Sequence, residues 1–142
     1  MIFTKKALNL LNKLVAVHIT KGVQPSDLAD AIFENDYSSI EVKRKAGDIQ
    51  VIVTFCDSEF GGVINKMKYI YDKDKYLQSI DQKIGSSRYK KQWDRSENIN
   101  KLIRELTPLL ERNNSLKDIE DFFQNIPKSE REALFSRLEL VA

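Results

Sequence analysis

Glu41-Val42-Lys43 sets a carboxylate and an amine two residues apart. On a β-strand that spacing brings both side chains to one face. A metal-dependent nuclease needs such a set, with acids to hold Mg²⁺ and a lysine to assist the attacking water. A second acid should precede it on an earlier strand. Asp36 is only five residues upstream, in a turn-like stretch, and Asp48 comes later. An exposed group of cross-strand charges accounts for the same residues.

The segment KIGSSRYKKQWDR, residues 83–95, carries a different chemistry. Lys83, Arg88, Lys90, Lys91 and Arg95 could neutralise phosphates, while Tyr89 or Trp93 stacks on a base. Lys66 and Lys68 upstream could extend the patch. The competing reading is structural: the two rings anchor on a core and the cations stay in water. The Glu41-Lys43 spacing, for its part, resembles the second half-motif of the PD-(D/E)xK nucleases, although the order of the other acids departs from it.

Other chemistries are poorly supplied. One cysteine, Cys56, and one histidine, His18, fall short of the ligand set of a structural zinc site. They form at most a Cys–His nucleophilic pair. Gly61-Gly62 lacks the spaced glycines and the Lys-Ser/Thr pair of a phosphate loop. Residues 21–45 could form a helix-turn-helix, with a short helix carrying Leu28-Ala29 and a second, basic element reading the groove. The alternation in 39–43 opposes a second helix there, and Phe33 stands where a tight turn wants a small residue. Asp118, Glu120 and Asp121 suit the first turns of a helix, or a docking face for a basic partner.

The elements that must position these groups follow from periodicity. Ala7, Leu11, Leu14, Val15 and His18 recur at helical spacing over 5–21, with Thr4 as cap and Gly22 as stop. Pro25 starts a second helix over 25–35. The period then changes to two. Strands are predicted over 39–45, 49–55, 63–71 and 76–83, with Ala46-Gly47 as a hairpin turn. Ser96 caps a helix running to about residue 112, which Pro108 should kink or break between Arg104 and Thr107. Ser115 opens another helix and Pro127 ends it; a capping box at Ser129 and Glu132 opens the last.

Composition sets the remaining bounds. A chain of 142 residues fits one domain, and its 23 basic and 21 acidic residues leave a net charge of +2. That balance gives no global pull toward nucleic acid or acidic lipid, so any electrostatic function is local. No apolar run suggests a membrane span or a leader with a cleavage site, and the lone cysteine fits a reducing, cytoplasmic compartment.

The expected fold is α+β: two N-terminal helices, a four-stranded antiparallel β-meander and three C-terminal helices. They form a single domain over 1–142, with a weak boundary near 85–95. The expected function is a non-catalytic binding or regulatory module. It acts through protein–protein contact, with an unknown protein or a second copy of itself, because the helices offer more apolar surface than one small core consumes. The alternative is nucleic-acid binding through Lys83, Arg88, Tyr89, Lys90, Lys91, Trp93 and Arg95, or through the helix-turn-helix-like region. An Mg²⁺ nuclease at Glu41 and Lys43 is third. No catalytic residue, metal, cofactor or membrane partner is assigned.

Overall fold

Residues 3–110 and 120–137 are described by a computed structural model. The chain divides into two compact units: one is built from the residues up to Thr20 and from Glu97 onward, the other from Lys21–Ser96.

The first unit is helical. In α1 (Lys5–Ile19) the Thr4 hydroxyl accepts a hydrogen bond from the Ala7 N–H, satisfying a donor that the first turn leaves open. Ala7, Leu10, Leu11 and Leu14 form its buried stripe. They share a core with Leu102, Ile103, Leu106 and Leu110 of α3 (Arg95–Leu110), and with Phe123, Ile126 and Leu134. Of the kink or break expected at Pro108, the break does not occur: α3 runs through the proline. The buried stripe continues on both sides of the proline, and that burial outweighs one missing backbone bond. A 3₁₀ turn, Glu120–Phe123, precedes α4 (Lys128–Arg137), and the Phe123 and Phe135 rings stack at 5.4 Å. The helix start expected at Ser115 lies outside the described residues. Ser129 falls inside α4, one residue past its start.

The second unit is the sheet. A short helix, α2 (Pro25–Ala29), passes into a 3₁₀ turn, Asp30–Phe33. The expected helix over 25–35 is thus only partly α-helical, and Ile32 and Phe33 are exposed. Five antiparallel strands follow in simple order: β1 (Tyr37–Lys45), β2 (Asp48–Asp57), β3 (Val63–Tyr71), β4 (Leu77–Ile84) and β5 (Lys90–Asp94). The four-stranded meander is corrected to five. β5 carries one large apolar side chain, so its sequence lacks the alternation that marks the others. The strand at 37–45 also leaves no second helix for a helix-turn-helix.

Cross-strand partners share a face. One row runs Val42, Val51, Tyr69, Ile80, Trp93 across all five strands. This apolar face holds a core of Val51, Val53, Tyr71 and Leu77, against which Leu28 and Trp93 pack. Gly22 is fitted to it: a Cβ there would lie 3.0 Å from that of Leu77, at a φ of +89° that suits only glycine. The Tyr71 hydroxyl donates to the Val23 carbonyl at 2.6 Å.

Burial, then the charges of Tyr69 and Asp27, push the Tyr71 phenol up from 10.0 to about 12. The folded state therefore holds that proton more tightly than the unfolded chain. The linked stability is complete below about pH 10 and is lost as pH rises toward about 12. Tyr71→Phe should lower stability at neutral pH by about 1–2 kcal/mol, because the Val23 carbonyl loses its donor. It should also flatten the alkaline decline in urea-midpoint measurements. An unchanged decline would assign it to other groups.

Candidate polyanion-binding face

Although Gln50 on it is buried, the other face of the sheet is the more open one. Its rows are Glu41, Ile52, Lys68, Asp81, Lys91 and, beside it, Ser39, Thr54, Lys66, Lys83. Lys66 and Lys83 therefore stand directly opposite each other. Like charges in that position repel, so the pair is costly without a compensating anion. Lys66 and Lys68, two residues apart on β3, are spaced by about 7 Å.

Tyr89 lies among these groups. Its ring centroid is 4.0 Å from the Lys68 ammonium and 5.9 Å from that of Lys83, close enough for cation–π attraction. Burial raises the phenol pKa first, and the carboxylates of Asp81 and Glu41 raise it further. Glu41 thus contributes to the electrostatics at Tyr89 from the far side of the sheet.

The segment 83–95 is divided between the two faces. Lys83, Tyr89 and Lys91 belong to the open one, where Lys91 also pairs with Asp94 at 3.2 Å. Arg88 and Lys90 are exposed. Trp93 packs on the apolar face opposite Ile80. Arg95 is buried; its Nε donates to the Leu77 carbonyl at 2.7 Å, and its guanidinium lies 5.2 Å from the Tyr76 ring and 5.7 Å from the Trp93 ring. Those two residues serve the fold. The division arises at an irregularity between Ile80 and Asp81, which shifts the register of β5 by one residue. Sequence spacing could not reveal it.

The remaining chemistry stays apart. Glu41 and Asp81 share a row but are three strand spacings distant, roughly 14 Å, too far to grip one ion. Among the described residues no three His, Cys, Asp or Glu side chains are grouped to hold a metal. His18 Nδ1 donates to the Leu14 carbonyl within α1, while Cys56 sits half-buried on β2. A cleft of about 640 Å³ lies at the hairpin end of the sheet, between Pro25, Arg44, Ile49 and Tyr71. Two of its neutral polar groups are committed: Gln24 donates to the Gly22 and Lys75 carbonyls, and Tyr71 to that of Val23. Among the described residues no helix is long and apolar enough to cross a membrane.

Asp81→Asn should bring the Tyr89 phenol down toward the ordinary tyrosine range. Ultraviolet difference titration, with Tyr89→Phe to identify its contribution, reads the shift. No movement would leave burial and Glu41 as the causes. Compared with known proteins, the chain matches no family model, no curated protein and no solved structure, so its function must be read from this geometry.

Proposed function

We propose that this protein binds single-stranded nucleic acid across the open face of its sheet. The observation that carries the reading is the facing pair Lys66 and Lys83, joined through the Tyr89 ring to Lys68. A phosphate chain relieves the like-charge repulsion of the pair, and the tyrosine offers a stacking surface beside it. Asp81 and Glu41 limit the net charge of the face and favour a strand that threads between cations over a broad duplex. The alternative reading, contact with another protein, has its own support: Phe33 is 85% exposed beside Ile32 at 41%. Rings so exposed mark contact surfaces when they lie in an apolar patch.

Anisotropy titration of labelled oligothymidine and oligouridine over a salt series tests the first reading. The doubly reversed variant Lys66→Glu/Lys83→Glu should bind at least about tenfold more weakly. Its log–log salt slope should fall by about 1.4, the value for two lost phosphate contacts on a single strand. Binding and slope equal to those of the wild type would remove this face from consideration.

A further inference from the structure

We infer that the free edge of β1 pairs with the same edge of a second copy, in one register selected by Glu41 and Lys43. This gives the protein-contact reading a partner and rests on it.

The backbone supplies the first part of the argument. β1 is an edge strand of nine residues, and 41–45 are all exposed. It joins β2 through a two-residue turn in which Ala46 has φ 51° and Gly47 has φ 89°. Two positive φ values give the turn whose twist matches a hairpin; Lys45 and Asp48 flank it as opposite partners, and in a two-residue hairpin of this type the flanking pair is the hydrogen-bonded one. The alternation of an antiparallel ladder then turns Lys43 and Glu41 inward to β2. It leaves the N–H and C=O groups of Ile40, Val42 and Arg44 pointing away from the sheet.

The side chains supply the second part. A two-fold axis through Val42 sets Val42 against its own copy, Ile40 against Arg44, and Glu41 against Lys43. The outward residues face each other, so their backbone groups bond. The Glu41–Lys43 pairs fall at the non-bonded positions, where side chains approach most closely. Val42, an apolar side chain 58% exposed in the single chain, gains an apolar neighbour. A slip of one residue would mismatch outward and inward backbone groups. A slip of two sets Glu41 against Glu41, or Lys43 against Lys43. Centred on Lys43, Glu41 also meets Lys45, but Lys43 meets its own copy; the register centred on Val42 pairs opposite charges with no like pair, and an interface of this kind is isologous and closes as a dimer.

Sedimentation velocity on the full chain, over a concentration series, reads the association. Glu41→Lys alone and Lys43→Glu alone should each raise the dimer dissociation constant about tenfold, since two attractions become two repulsions. The double swap should restore it, because the pairs are merely exchanged. Val42→Pro removes a donor that faces solvent in the single chain. It should abolish the dimer while leaving circular dichroism unchanged. A wild type that stays monomeric overturns the proposal, as does a dimer insensitive to these variants. If Phe33→Ser alone dissolves that dimer, protein contact survives as a reading and the β1 edge does not.

Discussion

Two left-handed residues at the tip of the first hairpin, Ala46 and Gly47, fix which side of β1 and β2 meets the core. The period of a strand is two, so a one-residue slip would carry Ile40, Val51 and Val53 into water and turn Glu41 and Lys43 toward the core in their place. From that turn outward, every later strand inherits its facing. The apolar row from Val42 to Trp93 and the charged row from Glu41 to Lys91 are the two readings of one register. A sheet with one packed face leaves the other to polar side chains, and the lysines collect there because the core excludes them.

Irregularities in the ladder then adjust this plan. One lies between Ile70 and Tyr71, another between Ile80 and Asp81. The second sends Lys91 to the open side while Trp93 stays on the packed side. Arg95 completes that packing, clasping the Leu77 carbonyl between two aromatic rings. The β3–β4 turn is similarly held: the Asp72 carboxylate accepts from the N–H groups of Asp74 and Tyr76 and from the Gln78 amide. Such local bonds tie both charged residues into the geometry of the sheet unit.

Much of this was legible in the chain. Four strands announced themselves because Ile40, Val51, Val53, Met67 and Tyr71 alternate with polar residues, and Thr4 and Ala46-Gly47 carried their usual cap and turn chemistry. β5 was not legible. An edge strand needs burial only where it crosses the core, and Trp93 alone meets that need. Pro108 misled for the opposite reason: local propensity predicted a break, but Leu106 and Leu110 are held from both sides of it. The α-helical part of the second helix stops early, and Ile32 and Phe33 beyond it find no core. The involvement of Lys66 and Lys68 with the later basic segment was readable from spacing. The influence of Glu41 on Tyr89 depends on how the strands lie beside one another and was not.

The separation into two units has an optical consequence. All five tyrosines and the single tryptophan fall within Lys21–Ser96, leaving the helical unit with phenylalanine as its only aromatic residue. Absorbance at the usual aromatic wavelength, and intrinsic emission, come from the sheet. The helical unit is dark to both and speaks mainly through far-ultraviolet dichroism. A melting curve followed by each signal thus listens to different parts of one chain, and their agreement or divergence reports whether the halves come apart as one.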